Sequence, residues 1–217
     1  MRELRTYIDH TLLKPTASVS DIITLCEQAR THRFAAVCVP PCYVGLAANQ
    51  LADTDVAVAT VIGFPLGSST TAIKVAETKD AVLNKADEID MVVNVGAIKS
   101  EAWDAVTDEI RAVVAAAEDS LVKVIIETSQ LTDEEKVRTC QAVIAGGAAF
   151  VKTSTGFIGG GATVEDVSLL ARTIQESESN CRIKASGGIR TKEDALRMIE
   201  AGADRIGTSA GIAIVEG

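Results

Sequence analysis

Histidine is scarce in this sequence: His10 and His32 are the only two among 217 residues. With two histidines, neither a histidine-based metal site nor a Ser-His-Asp triad is expected to be the basis of the function. Long apolar runs are also lacking, because no stretch is long enough and free enough of charge to span a bilayer, and residues 1–6 contain no apolar signal region. We expect a cytoplasmic protein without a membrane partner.

Positive charge is scarce as well, with 21 lysines and arginines against 30 acidic residues and a net charge of −9. No cluster of basic residues makes a local exception, so a nucleic-acid partner is not expected. A small phosphorylated substrate remains compatible, because backbone amides and one or two local donors can hold a phosphate. The five cysteines form no CxxC pair and are odd in number, which favours reduced thiols.

Short β-branched runs alternate with longer helical patterns along the whole chain, and no linker or change in composition divides it. The length and the 47% hydrophobic content predict a single domain over residues 1–217. The predicted strands are residues 7–10, 35–39, 56–62, 89–95, 122–127, 150–153, 183–186 and 205–208. Eight strands joined through helices predict a closed (β/α)8 TIM barrel, and an open doubly wound sheet is the alternative.

The segments between the strands carry helix N-cap signals. A hydroxyl followed by an acidic residue near the third helical position predicts helix starts at Ser18, Thr132, Thr163 and Thr191. Ser100 is predicted to cap a further helix. The inner face of that helix would be formed by residues 102, 106, 110, 113 and 117.

Two lysines lie near the ends of predicted buried strands: Lys152 in the run 150–156 and Lys184 in the run 182–188. A buried ammonium needs a reason, because lysine is among the residues least often buried without a partner. Two facing lysines disfavour each other's charge, and enzymes lower the pKa of a lysine from about 10.4 to roughly 7–8 in this way. The pattern favours a nucleophilic Lys152. The alternative is an ordinary lysine whose ammonium reaches solvent.

Alternation along the strands predicts which side chains face the barrel interior. It places Asp90, Val92 and Asn94 on one face of the fourth strand, and Lys123, Ile125 and Glu127 on one face of the fifth. The predicted interior then holds three lysines together with the carboxylates of Asp9, Asp90 and Glu127. Such a mixture perturbs every pKa in it, although Asp90 and Lys123 could also form a purely structural ion pair.

Glycines follow the last two predicted strands, at Gly187-Gly188 and at Gly207, and Ser209 lies just before a short helix. This arrangement is typical of the phosphate site of a TIM barrel, which is built from the last two loops and a helix N-terminus. A second glycine cluster at 159–161 is either another anion nest or a flexible loop.

Several of these motifs together have a family resemblance. The matching stretches are residues 8–15 (IDHTLLKP), 37–41 (VCVPP), 61–67 (VIGFPLG), 87–92 (DEIDMV), 151–156 (VKTSTG) and 183–190 (IKASGGIR). Over nearly its whole length the sequence resembles the deoxyribose-phosphate aldolases, class I aldolases with a (β/α)8 fold. The resemblance implies reversible cleavage of 2-deoxy-D-ribose 5-phosphate to acetaldehyde and D-glyceraldehyde 3-phosphate, without a metal or an organic cofactor.

The resemblance also implies roles for individual residues. Lys152 would form the Schiff base, Lys184 would lower its pKa and assist proton transfer, and Asp90 would be the general acid/base acting through water. The implied substrate and phosphate contacts are Gly187, Gly188, Ser209, Asp9, Thr11 and Thr153. Family members are often dimers, so a homodimer or a higher homo-oligomer is expected.

The sequence departs from the family pattern at two places. Ser209 is followed by Ala210, where many members have a second serine that can contact the phosphate. Some members also carry a C-terminal tyrosine that helps proton transfer, whereas this sequence ends at Gly217; if such a transfer is needed, water or Asp90 is expected to serve it. The alternatives are another phosphosugar lyase or isomerase, a thiazole-type synthase using a lysine imine, and a phosphosugar-binding sensor without catalysis.

Overall fold

The computed structural model describes residues 3–217, and within this range eight parallel strands form a closed barrel in chain order. The strands are β1 (Ile8–Thr11), β2 (Ala36–Val39), β3 (Ala57–Ile62), β4 (Glu88–Val92), β5 (Leu121–Ile125), β6 (Phe150–Lys152), β7 (Arg182–Ser186) and β8 (Arg205–Thr208). Closure is direct, because β8 pairs with β1 and places Asp9 opposite Gly207. The predicted (β/α)8 TIM barrel is confirmed.

Helices connect the strands on the outside of the barrel. Within residues 3–217 the α-helices are α1 (Val19–His32), α2 (Val44–Leu51), α3 (Thr71–Leu83), α4 (Val95–Lys99), α5 (Trp103–Ala116), α6 (Asp133–Ala145), α7 (Val164–Glu176), α8 (Lys192–Glu200) and α9 (Gly211–Glu216). Short 3-10 helices lie at Leu4–Tyr7, Pro41–Tyr43 and Thr128–Gln130. Among the described residues, no helix has both the length and the apolar character needed to cross a membrane.

Four helices begin where the capping pattern predicted. Ser18, Thr132 and Thr191 each form a reciprocal capping box with the acidic residue three positions later. Thr163 accepts a hydrogen bond from the backbone N–H of Asp166. These side chains satisfy backbone donors that have no partner inside the helix, and this is why the helices start at these residues.

The prediction that Ser100 caps a helix is wrong. Asn94 caps the short helix α4 by accepting from the N–H of Ala97, and Ser100 is the C-cap of that helix. The next helix, α5, follows Ala102, which makes no side-chain cap hydrogen bond. A short extra helix thus lies at Val95–Lys99, before the predicted cap, and the next helix begins at Trp103, after it. The predicted inner face of α5 is nevertheless buried at Val106, Ile110 and Val113.

The hydrophobic core lies mainly between the barrel and its helices, where most buried aliphatic side chains pack. A buried ion pair is embedded in this outer layer: Lys74 Nζ of α3 lies 2.9 Å from Glu109 Oε2 of α5. Lys74 also donates to the carbonyl of Val92, and Glu109 accepts from the N–H of Asn94. The pair therefore connects two helices to the end of β4.

The barrel interior has two unlike halves. On β2 and β3, Cys38, Ala59 and Val61 form a small apolar cluster. On the opposite side, β4 to β7 and β1 contribute buried charged side chains, and β8 contributes Arg205, whose side chain is 12% exposed. Burying several ionised groups is costly unless each has partners, so the charged half is the candidate for a functional site.

Candidate active site

Strand register brings the two lysines predicted from the sequence side by side. Lys152 ends β6 and is the direct partner of Lys184 on β7. Both side chains point into the barrel and are buried, with exposed fractions of 4% for Lys152 and 0% for Lys184. On the neighbouring strands β4 and β5, Asp90 lies opposite Lys123. The barrel thus assembles in space residues that lie up to 94 positions apart in the chain.

Asp90 is the centre of this group. Its Oδ2 accepts from Lys152 Nζ at 2.7 Å and from Lys184 Nζ at 2.8 Å, and its Oδ1 accepts from Lys123 Nζ at 2.8 Å. Burial alone would raise the pKa of Asp90, but the three ammonium groups hold it well below its usual range. Asp90 therefore stays ionised between three lysines.

The two lysines on Asp90 Oδ2 differ in their other partners. Burial lowers the pKa of Lys152, and the Lys184 ammonium lowers it as well, while Asp90 opposes both effects. Burial also acts on Lys184, but the attraction of Asp9 and Asp90 outweighs it, so the pKa of Lys184 is raised. Asp9 Oδ2 lies 2.5 Å from Lys184 Nζ. Lys152 is thus the amine that loses its proton more readily.

Two further charged residues, Glu88 and Arg205, complete the group, and neither was singled out from the sequence. Arg205 of β8 donates to Glu88 Oε1 at 2.7 Å and also to Asp9 Oδ1. Glu88 Oε2 accepts from Lys123 Nζ at 2.6 Å. The signal was present, because Glu88 and Asp90 are two residues apart and share a face of β4.

The predicted interior was wrong at Asn94 and Glu127. Strand β4 ends at Val92, so Asn94 leaves the sheet and caps α4. Glu127 follows the end of β5 in the left-handed backbone conformation, with φ of 55°. Its Oε2 accepts from the N–H and the hydroxyl of Thr155, so this buried carboxylate supports the loop after β6.

A cavity of about 430 Å³ opens above the lysines, at the carboxyl ends of the strands. Lys152 reaches it, and the rest of its lining comes largely from the loops after β1, β6, β7 and β8. Lys14 and Arg190, which lie in two of the matching sequence stretches, are the further cations of the lining. The cavity thus has a lysine amine on its floor and cationic side chains at its rim.

The predicted phosphate contacts lie on one side of this cavity. Gly187 and Gly188 line it with φ of 90° and 81°, a backbone conformation that suits glycine and turns the chain sharply after β7. Ser209 and Thr11 line it too. Ala210, at the site of the expected second serine, donates its N–H to Thr208 Oγ1 at 2.9 Å.

Asp9 and Thr153 are placed differently from the other predicted contacts, because neither lines the cavity. Asp9 is fully buried between Lys184 and Arg205. The Thr153 hydroxyl donates to the carbonyl of Ser186 and accepts from its N–H, so it joins the ends of β6 and β7. Both residues support the cavity from below.

A second, polar depression of about 680 Å³ lies outside the barrel, beside α6 and α7. The lysine within it, Lys136, is paired with Asp133 at 2.9 Å and with Asp166 at 2.7 Å. No member of the Asp90 group lines this depression. We therefore assign the chemistry to the cavity above Lys152.

Among residues 3–217, no group of three His, Cys, Asp or Glu side chains is placed to hold a metal ion.

Known proteins match this chain over nearly its whole length. Residues 4–216 match the family model described as DeoC/LacD family aldolase. The deoxyribose-phosphate aldolase of Streptococcus sanguinis is 57% identical over 99% of this chain and 96% of its own length.

Two solved structures have the same fold. A protein described as QR15, an aldolase, has a TM-score of 0.94 and 43% identity, covering 100% of this chain and 96% of its own. The deoxyribose phosphate aldolase of Aeropyrum pernix, described as tetrameric, has a TM-score of 0.91 and 32% identity, covering 98% and 89%. The family resemblance seen in the sequence is therefore confirmed. The chain belongs to the DeoC/LacD family of aldolases.

Proposed function

We propose that this protein is a class I aldolase that reversibly cleaves 2-deoxy-D-ribose 5-phosphate to acetaldehyde and D-glyceraldehyde 3-phosphate through a Schiff base on Lys152. The observation that carries the proposal is the position of Lys152. It is the lysine of the buried group that reaches the cavity, and its pKa is lowered by burial and by Lys184. Its relatives' names supply the substrate, and the cavity's chemistry is compatible with it.

The first half of the reaction follows from the neutral amine. Lys152 Nζ attacks the C1 aldehyde of the open-chain sugar, and loss of water gives a protonated imine. A base then removes the proton of the C3 hydroxyl, and the C2–C3 bond breaks with its electron pair moving into the imine. The products are D-glyceraldehyde 3-phosphate and an enamine on Lys152. The imine acts as an electron sink, so no free carbanion forms.

The second half returns the enzyme to its starting state. Protonation of the enamine at C2 regenerates an imine, and water hydrolyses it to acetaldehyde and free Lys152. Lys184 and Asp90 are the proposed proton-transfer pair, with Asp90 acting through water. Lys184 keeps its proton and Asp90 stays ionised, so one can donate and the other can accept.

The phosphate would bind at the cavity wall formed by the loops after β7 and β8. Gly187, Gly188 and Ser209 offer backbone and hydroxyl donors there, and Lys14 and Arg190 add positive charge. Thr11 lies on the same wall and is proposed to contact the sugar. Asp9 and Thr153 act indirectly, through Lys184 and the strand ends.

Location and assembly are also proposed here. Cys26, Cys38, Cys42, Cys140 and Cys181 are all free thiols in the structure, which fits a reducing compartment such as the cytoplasm. A homo-oligomer, either a dimer or a larger assembly, is proposed because one relative is described as tetrameric. Light scattering during size exclusion would test it, and a monomer at micromolar concentration would contradict it.

Borohydride trapping tests the proposed chemistry. The protein is incubated with 2-deoxyribose 5-phosphate and sodium borohydride, and the adduct is located by intact mass and peptide mapping. We expect an ethyl adduct on Lys152, no adduct in Lys152→Met, and an unchanged adduct in Lys79→Met, which removes an exposed lysine. No adduct in the folded wild-type protein would refute the aldolase assignment and favour an isomerase or a binding protein.

A further inference from the structure

The charged side chains of the barrel interior form a closed ring in which positive and negative groups alternate. The members of this charge ring, in order around it, are Asp90, Lys123, Glu88, Arg205, Asp9 and Lys184. The contacts around it are short, for example 2.5 Å for Lys184–Asp9, 2.6 Å for Lys123–Glu88 and 2.8 Å for Lys123–Asp90. Each member thus contacts two groups of opposite charge.

The charge ring is balanced, and Lys152 is the group outside this balance. Three carboxylates in the ring face three cations, whereas Lys152 contacts the ring at Asp90 Oδ2, at 2.7 Å. A net charge in a buried cluster is costly, so the neutral state of the cluster is favoured. The neutral state requires that one of the four cationic side chains releases a proton, and Lys152 has the fewest ionic partners.

We propose that Glu88 and Arg205, which do not line the cavity, are positioning residues that close the charge ring and together set the pH at which Lys152 releases its proton. This inference rests on the Schiff-base function proposed above. Glu88 gives Lys123 a second carboxylate, and Arg205 orients Asp9 toward Lys184. Each of those lysines therefore holds its proton against two carboxylates, and the remaining lysine does not.

Other groups that face Lys152 do not upset this balance. On β2, burial raises the pKa of Cys38 to about 11, so that thiol is neutral. On β3, Ala59 and Val61 carry no charge. Beneath the ring, Phe150 is fully buried and its aromatic face lies near Lys123, Arg205 and Arg182. Lys14 and Arg190 line the same cavity as Lys152, and Glu127 is a buried carboxylate that accepts from Thr155. The ion pairs of Lys152 and of its partner Asp90 nevertheless lie within the charge ring and Lys152 itself.

The two positioning residues have opposite signs, which makes the proposal testable. Glu88→Gln removes a negative charge and leaves an amide oxygen that can still accept from Lys123 or Arg205. The excess positive charge should lower the pH at which Lys152 loses its proton. Arg205→Met removes a positive charge, and the excess negative charge should raise that pH. From the strength of such interactions, each shift should be about one pH unit.

The experiment measures kcat/KM against pH for each variant, together with the pH dependence of borohydride trapping of acetaldehyde on Lys152. The acidic limb of both profiles should move to lower pH in Glu88→Gln and to higher pH in Arg205→Met. Arg205→Lys keeps the charge and should retain the wild-type limb. The double variant Glu88→Gln/Arg205→Met restores the balance, and its limb should return toward that of the wild type.

Glu109→Gln is the matched control for loss of a buried ion pair, because it disrupts the Lys74–Glu109 pair in the outer layer. It should lower the melting temperature without moving the acidic limb. If Arg205→Met does not fold, the nearly isosteric Glu88→Gln decides the question alone. Wild-type trapping combined with unmoved limbs, or limbs that move in the same direction, would overturn this inference. Absence of trapping in the wild type would instead refute the proposed function beneath it.

Discussion

Lys152 and Lys184 donate to the same oxygen atom, Asp90 Oδ2, at 2.7 Å and 2.8 Å. They are nevertheless not equivalent, because Lys184 has Asp9 as a second carboxylate partner. This asymmetry separates a lysine that retains its proton from one that releases it. The proposed nucleophile and the proposed proton donor are thereby distinguished by their partners, although they are neighbours on adjacent strands.

Lys184→Met should move the activity of the protein to higher pH and reduce it. Without the Lys184 ammonium, Asp90 holds the proton on Lys152 more strongly, so the acidic limb of kcat/KM should rise by about one pH unit. Loss of the proton donor should also lower kcat by about 100-fold or more. A pH profile of the variant checks both effects, with Lys184→Arg as the control that keeps the charge. An acidic limb at the wild-type pH in Lys184→Met would show that Lys184 does not set the protonation of Lys152.

Lys14→Ala and Arg190→Ala should weaken binding of the phosphorylated substrate. Both side chains line the cavity beside the glycine loop, where each can make a charged hydrogen bond to a phosphate. Each substitution should raise the KM for 2-deoxyribose 5-phosphate about tenfold. The rate with unphosphorylated 2-deoxyribose should change little. Lys192→Ala, which removes an exposed lysine outside the cavity, should alter neither value. Equal losses with both sugars would place the phosphate elsewhere.

Glu109→Gln should destabilise the fold by about 3 kcal/mol, because it leaves the buried Lys74 ammonium without its carboxylate. Urea unfolding measures this change in the free energy of unfolding. The double variant Lys74→Met/Glu109→Leu removes both charges and should recover most of the loss. The exposed pair Arg111–Asp108 is the control, since Asp108→Asn should cost less than about 1 kcal/mol. Similar losses for the two single variants would mean that burial of the Lys74 pair is unimportant.

Asp9 should make the protein sensitive to acid. Burial opposes ionisation of Asp9, but Lys184, Arg205 and Lys123 lower its pKa from 3.8 to about 2. A lowered pKa stabilises the fold above pH 4, and the stabilisation is lost as the pH falls toward 2. The shift corresponds to about 2 kcal/mol.

Asp9→Asn does not titrate at this position, so the variant lacks the stabilisation by ionised Asp9 at every pH. Its deficit in the free energy of unfolding relative to the wild type should therefore shrink by about 2 kcal/mol between pH 5 and pH 2. Urea titrations across this range measure the deficit. Asp53→Asn, at an exposed position, is the control and should show a constant difference. A constant deficit for Asp9→Asn as well would assign the acid sensitivity to other groups.

The sequence pattern identified most of the charged group because strands have a fixed period. Alternation along β4 to β7 placed Asp90, Lys123, Lys152 and Lys184 on inward positions, and the structure brings them together. Glu88 was missed through an error of one residue, since the predicted strand began at Ile89 and β4 begins at Glu88. An ordinary uncertainty in the end of a strand thus removed one member of the charge ring.

Other features depend on backbone turns and tertiary packing that local patterns do not report. Glu127 leaves the β5 direction through a positive φ, which is unusual for a glutamate. Lys74 lies on a helix, where lysine is normally exposed, and its partner Glu109 belongs to a different helix. Burial of such a pair becomes visible only when the packing of α3 against α5 is known.

The charge ring can be completed only after the barrel has closed. Asp9 comes from the first strand and Arg205 from the last, 196 positions later, and they meet because β8 pairs with β1. Until β8 takes its place, Arg205 cannot reach Asp9 or Glu88, so the charge ring stays open and each of these carboxylates lacks one ionic partner. Because burial of a charge without its partners is costly, we expect these side chains to remain hydrated in a barrel that has not closed. Pairing of the last strand with the first completes the charge ring around Lys152, so we expect the site to become competent only when the barrel closes.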